Sequence, residues 1–223
     1  MPSTLFTNRN GGASSPPYES NNLALHVGDD KTAVQANRES LASAFGSVVY
    51  MNQSHSNHVA VVDGVSSLEA HADALVTQEP DIALAVLVAD CIPLLLWDDL
   101  QGCVAAVHVG RRGLVNGVAL RTIEIMRLIG ASEIHALLGP SICGRCYEVG
   151  EEIHSEVSEL FPMADSRTLT GSLALDLPRA LKSQLSDMGI LVTTSAVCTV
   201  ENSDFFSYRR DGVTGRQAGI IRL

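Results

Sequence analysis

Residues 81–113 read DIALAVLVADCIPLLLWDDLQGCVAAVHVGRRG. Apolar runs at 82–88, 93–97 and 104–108 are each of strand length and are separated by short breaks carrying Asp90, Asp98 and Gly102. Residues 83–88 and 94–97 are almost continuously apolar rather than alternating, which predicts strands covered on both faces. The third run ends at His108 and meets the glycine-flanked loop GRRG.

Upstream, residues 74–77, 59–63 and 48–51 read as further strands, and Val34, Leu41 and Phe45 mark an amphipathic helix over 32–45 that Gly46 ends. The first 20 residues, with Gly11, Gly12, Ser14, Ser15, Pro16 and Pro17, predict loop and one short strand at 4–6. Downstream, a helix follows Gly113 as far as Gly130, then a strand at 134–138 and a helix over 147–160. A further helix starts at Asp176 as N-cap, with Pro178 in its first turn and Arg179 where Glu would complete a capping box. Residues 190–197, 205–209 and 218–222 read as closing strands. The expected fold class is α/β (α+β mixed-sheet), a mixed sheet in a layered protein, with 1–223 as one domain because neither a repeat nor a linker divides it.

At 223 residues the chain can bury about 70% of its extended surface without staples. It is 46% apolar and 18% charged, without an apolar run of membrane-spanning length, which excludes a disordered tail and an integral membrane helix. A net charge of -10 repels nucleic acid and anionic lipid, so neither is an expected partner. Lys31 and Lys182 are the only lysines, which leaves anion binding to arginines, helix N-termini or metal. The opening MPSTLFTNRN has no charged leader or apolar h-region, so a cytoplasmic location is expected. Five scattered cysteines suit reduced thiols better than a disulfide framework.

Cys91 and His108 each stand at a strand end, where a side chain is aimed rigidly into a cleft. Converging with His55, they would supply two imidazoles and a thiolate, three zinc ligands with a fourth position open. The spacing is not a zinc-finger signature, and the same atoms could serve a metal-free cysteine nucleophile, with Cys91 as thiolate and His108 as base. Cys143 and Cys146 form a C-x-x-C without a second such pair, which reads as structural or incidental. Arg111 and Arg112 lie before a helix beside His108, where guanidinium forks and free amides can hold phosphate. Arg209 and Arg210 could add a second cation, and neither nearby glycine cluster has dinucleotide or P-loop spacing.

NRNGGAS at 8–14, NQSHSNHV at 52–59, ADALVT at 72–77, VADCIPLLLWD at 88–98, AAVHVGRRGL at 105–114, LGPSICGRCYEVG at 138–150 and FFSYRRDGVTGRQAGII at 205–221 together resemble the multicopper polyphenol oxidase or laccase-domain family, which includes purine nucleoside phosphorylases of the YfiH/YlmD type. The resemblance implies a layered α/β/β/α sandwich and metal ligands at His55, Cys91 and His108. It also implies zinc as cofactor, with copper as the competitor. The implied activity is phosphorolysis of adenosine, inosine, guanosine and methylthioadenosine, with adenosine deamination beside it. The implied partners are purine nucleosides and inorganic phosphate, in a monomer or small homo-oligomer. The family's older polyphenol oxidase label sits poorly with this chain, since blue-copper and trinuclear sites need many more convergent histidines.

The resemblance makes Asp90 and Cys91 the expected catalytic residues together with Arg112, with Asp90 serving as acid, as partner to a ligand histidine, or equally as a buried helix or loop cap. Arg9, Arg112, Arg209 and Arg210 are the phosphate or substrate candidates. Two positions depart from the family pattern: Ser56 stands where glycine is common, and Arg111 where tryptophan is common, while Arg112 matches the family arginine. A non-catalytic binding protein on the same fold is the remaining alternative.

Overall fold

The computed structural model describes residues 1–64 and 69–223. Along the chain run β1 (Ser3–Phe6), α1 (Lys31–Phe45), β2 (Ser47–Val49), β3 (Met51–Asn52), β4 (Val59–Val62), β5 (Ala70–His71), β6 (Ala74–Thr77), β7 (Ile82–Val88), β8 (Ile92–Asp98) and β9 (Cys103–Val109). Then follow α2 (Arg111–Val115), α3 (Val118–Leu128), β10 (His135–Leu138), α4 (Glu151–Leu160), β11 (Asp165–Arg167), β12 (Leu173–Leu175), α5 (Leu177–Asp187), β13 (Leu191–Thr194), α6 (Tyr208–Asp211) and β14 (Gln217–Arg222). One sheet has the order β1-β14-β7-β2 and the other β13-β10-β8-β9-β6-β4.

Strand alternation divides the apolar residues among three cores. Leu84, Val86 and Val88 of β7 face Leu95 of β8 and Val104 and Ala106 of β9 across the space between the sheets. Ala83, Ala85 and Leu87 turn outward to Leu41 of α1. Leu94, Leu96, Ala105 and Val107 turn the other way, onto α3 and α5 through Ile123, Met126, Leu181 and Leu185. The result is a helix, sheet, sheet, helix sandwich with mixed sheets. Every residue of β7 and β9 is buried, as their continuous apolar runs predict. Among the described residues no helix is long and apolar enough to cross a membrane.

Asp98 closes β8. Fully buried, it accepts N–H bonds from Leu100 (2.8 Å), Gln101 (3.1 Å), Ser132 (2.6 Å) and Glu133 (2.8 Å). Burial alone would raise its pKa, but these amides outweigh it and hold the carboxyl below its usual range. A lowered folded pKa stabilises the fold above the unfolded value of about 3.9, and the contribution is lost as pH falls through the folded value. Asp98→Asn is expected to cost about 2–3 kcal/mol, because the amide leaves buried N–H donors without an acceptor. Urea midpoints measured against pH should show a flatter acid limb in the variant, and an unchanged limb would contradict this role.

Several expected boundaries move. Residues 205–209 do not form a strand: the Ser207 hydroxyl accepts from Arg210 N (3.2 Å), and α6 begins at Tyr208. The helix expected after Gly113 starts earlier, at Arg111, and breaks at Gly117, whose φ of 73° is left-handed. The helix expected over 147–160 begins only at Glu151, because Val149 N bonds Leu173 O (3.0 Å) and Tyr147 O accepts from Leu175 N (3.1 Å) in an extended pairing. The strand expected over 190–197 is confined to Leu191–Thr194. Asp176 does cap α5, accepting from Arg179 N at 3.0 Å.

Candidate metal centre and its cleft

His108 alternates with Val104 and Ala106, so its ring enters the space between the sheets at the end of β9. Pro93 pairs with His108, which brings the start of β8 and the adjoining Cys91 to the same end. His55 arrives on the turn after β3. Its Nδ1 or Nε2, the Cys91 Sγ and a His108 ring nitrogen lie within 4.8 Å of one another. The imidazoles meet edge to face, with centroids 4.7 Å apart. A Cβ on Gly110 would lie 2.8 Å from Cys91 Sγ and 3.3 Å from His55 Cδ2, so the chain can pass behind the cluster only as glycine.

Asp73, which neither motif spacing nor composition singles out as a site residue, organises this arrangement. Wholly buried, its carboxylate accepts the N–H groups of Ser54 (3.2 Å), His55 (2.9 Å) and Ser56 (2.7 Å) and the Ser56 hydroxyl (2.8 Å). It also accepts from His108 Nδ1 at 2.9 Å, which commits that nitrogen and leaves Nε2 to face the cluster. His55 has a φ of 61°, an αL conformation costing about 1–3 kcal/mol in a non-glycine residue and kept only where surrounding bonds fix it. The three amides held by Asp73 do so. Burial favours the neutral acid, yet His108 and Ser56 hold Asp73 far below the usual carboxylate range.

Burial opposes ionisation of Cys91 as well, but His108 and His55 outweigh it and bring the thiol to about 6. His108 is subject to the converse balance: burial lowers its pKa, while Cys91 and Asp73 push it up to about 9. The two shifts favour a thiolate beside an orientated imidazolium, a donor pair that a soft or borderline divalent cation can claim in place of the shared proton. The donor set of two imidazoles and one thiolate fits zinc with one position open to a ligand.

Beside the cluster lies a cleft of about 280 Å³ lined by His26, Gln53, Tyr208 and Arg216 as well as by the three candidate ligands. Arg216 is half-buried, and burial lowers its pKa against the opposing influence of Cys91 and Asp90. Its Nη1 donates to Thr214 O and Gly215 O, both at 2.9 Å, and its guanidinium lies 5.9 Å from the Tyr208 ring. Burial and then Arg216 lower the pKa of His26, which favours its neutral form. Gln53 is committed to the backbone of Leu87 through both ends of its amide, at 2.8 and 2.9 Å.

None of the arginines singled out in the sequence lines that cleft, although Arg111 and Arg209 both face Tyr147, whose hydroxyl also feels Cys91. Arg9 contacts Glu19, Asp211 and the Phe206 ring in the N-terminal loop. Arg209 donates to Glu148 O (2.7 Å) and lies over Tyr147. Arg210 spends its guanidinium on the carbonyls of Thr199 (2.7 Å), Val200 (3.3 Å), Asn202 (3.3 Å) and Phe205 (2.8 Å) and on Asp211. Arg112 is exposed and does not line the cleft, and Arg111 pairs with Glu156 at 3.7 Å.

Asp90 acts as a buried loop cap. Its carboxylate accepts from the Thr199 hydroxyl (2.7 Å) and Arg209 N (2.6 Å), and its carbonyl from Ile142 N (2.9 Å), so it ties three segments together while Asp73 orientates the histidine. With a φ of 91°, it is the other αL non-glycine among the described residues.

Residues 3–223 match the family model described as multi-copper polyphenol oxidoreductase laccase. The chain is 46% identical to a Corynebacterium glutamicum protein named as a purine nucleoside phosphorylase, covering 98% of this chain and 93% of that one. A Streptomyces coelicolor protein bearing the same activity name is 48% identical over 98% of this chain and 94% of its own length. The crystal structure of a Bacillus licheniformis protein described as hypothetical protein YfiH superposes with a TM-score of 0.90 at 31% identity, covering 99% of this chain and 92% of that one.

Proposed function

The chain belongs to the multi-copper polyphenol oxidoreductase laccase family, in its YfiH/YlmD-like branch, and from that premise we propose that it is a zinc-dependent purine nucleoside phosphorylase that also deaminates adenosine. The observation that carries the reading is one cleft holding both the His55–Cys91–His108 cluster and the half-buried cation Arg216. The activity names of the relatives at 46% and 48% identity support it. Phenol oxidation by several coppers finds little support, because the two metal-capable clusters among the described residues contain two histidines between them.

In phosphorolysis an oxygen of phosphate bonds to the ribose C1′, the C1′–N9 bond breaks, and the purine leaves with the bonding electrons and takes up a proton. Arg216 would hold the attacking anion, its burial strengthening the attraction that a solvated cation would lose. Tyr208 at the mouth offers a ring face to the base. His26, which lines the cleft, can donate a ring N–H to the developing negative charge on the purine. His55, Cys91 and His108 would hold zinc, which when bound supplies a Lewis acid. Asp73 keeps both histidines in place for that purpose. Deamination of adenosine in the same cleft would replace phosphate by water and would not need the arginine.

Arg216→Lys is therefore expected to lower phosphate-dependent cleavage of inosine by roughly ten- to a hundredfold, through a raised apparent KM for phosphate. Adenosine deamination in the same variant should fall much less. Arg112→Lys, at the arginine that the family resemblance favours, serves as the comparison. A phosphate KM that rises with Arg112→Lys and stays constant with Arg216→Lys would move the anion site to Arg112.

A further inference from the structure

The C-x-x-C pair does not stand alone, as its sequence spacing suggested. The thiols of Cys143, Cys146 and Cys198 and a carboxylate oxygen of Glu201 lie within 4.8 Å of one another. We propose that these four side chains form a second, structural zinc site, separate from the cluster in the cleft.

Their local backbone is built for convergence. Cys146 N and Tyr147 N both donate to Cys143 O at 3.1 Å, closing a tight turn over Gly144 and Arg145. Gly144 lies against α5's cap, where a Cβ would come within 2.6 Å of Asp176 Cβ and 2.8 Å of Ser166 Oγ, so the turn admits only glycine. Ser141 forms a parallel bridge with Cys198, with Thr199 N bonded to Ser141 O at 3.1 Å. Asn202 N then turns back onto Cys198 O at 3.0 Å, carrying Glu201 round to the thiols.

The donor spacing also suits a tetrahedral ion. Zinc at about 2.3 Å from sulfur and about 2.1 Å from a carboxylate oxygen places those two ligands about 3.6 Å apart. Cys146 Sγ and Glu201 Oε1 are 3.5 Å apart. Three thiolates and one carboxylate leave no position for substrate, which marks a closed, structural site rather than a catalytic one. Arg145, 3.6 Å from Glu201, offsets part of the surplus negative charge.

An ion here would clamp the loop after β10 to the turn after β13. That turn holds Asp90 through Thr199, and its carbonyls at Thr199, Val200 and Asn202 receive Arg210 of α6. The clamp thus fixes the base of the segment that places Tyr208 at the cleft.

The test uses untagged, full-length protein purified under reductant. Two zinc equivalents per chain are expected, with Cys198→Ser and Cys146→Ser each losing one equivalent and Cys91→Ser losing the other. Cobalt-loaded Cys91→Ser should keep strong thiolate-to-cobalt absorption, and Cys198→Ser should melt about 5 °C or more below wild type. If neither cluster variant folds, the wild-type and Cys91→Ser counts decide. One equivalent in wild type that vanishes in Cys91→Ser overturns the proposal. A Cys143–Cys146 disulfide in the reductant-purified protein overturns it equally.

Discussion

Cys91→Ser is expected to remove zinc from the cleft and to lower inosine phosphorolysis by about a thousandfold or more, equivalent to roughly 4 kcal/mol of transition-state stabilisation. The side chain is half-buried at a strand end and serine is nearly isosteric, so the strands around it should stay folded. The variant alone does not separate a metal ligand from a cysteine nucleophile, because both readings need the sulfur. Chelation does: wild-type enzyme stripped of zinc should match Cys91→Ser in activity and recover on adding zinc. An enzyme using the Cys91 thiolate as nucleophile with His108 as its base would keep its rate after stripping. Iodoacetamide gives a second readout. With its pKa at about 6 the bare thiol should alkylate readily at pH 7, and bound zinc should protect it.

Asp73→Asn should weaken both the fold and the metal. One amide oxygen cannot replace a carboxylate that receives three backbone N–H groups, the Ser56 hydroxyl and His108 Nδ1. Leaving even two of these donors unpaired in a buried place costs about 2–5 kcal/mol. The amide also releases His55 from its αL conformation and lets the His108 ring turn or change tautomer, so zinc affinity should drop a further ten- to a hundredfold, about the usual effect of losing a carboxylate partner to a ligand histidine. Competition with a chelator, at a temperature where the variant is still folded by circular dichroism, measures the second effect apart from the first. Zinc affinity equal to wild type would mean that Asp73 is a folding staple only.

The strands that build the site were legible because burial on both faces leaves a continuous apolar run, and that run ends at the residues the site uses. Cys91 and His108 could be found from this alone. Asp73 could not, since its importance lies in bonds to Ser54, Ser56 and His108, which the linear sequence does not bring together. The same limit applies among the arginines. Arg210 and Arg216 lie in one short stretch, yet Arg210 is consumed by carbonyls and Arg216 lines the cleft, a difference of direction rather than of composition. Phe205, Phe206 and Tyr208 look like strand residues, and only the Ser207 cap and the pull of Asp90 on Arg209 N turn the segment into α6. Cys198 gave no sign of joining the C-x-x-C because its approach depends on the bridge to Ser141.

The most direct test of phosphate-dependent cleavage at the His55–Cys91–His108 cleft is to identify the sugar product from inosine while phosphate is titrated against zinc-loaded enzyme. Ribose 1-phosphate in equal amount to free hypoxanthine is expected, with formation that saturates with phosphate and loss of both products in Cys91→Ser. Free ribose as the sugar product, or cleavage that continues unchanged without phosphate and in Cys91→Ser, would contradict phosphorolysis at this cleft.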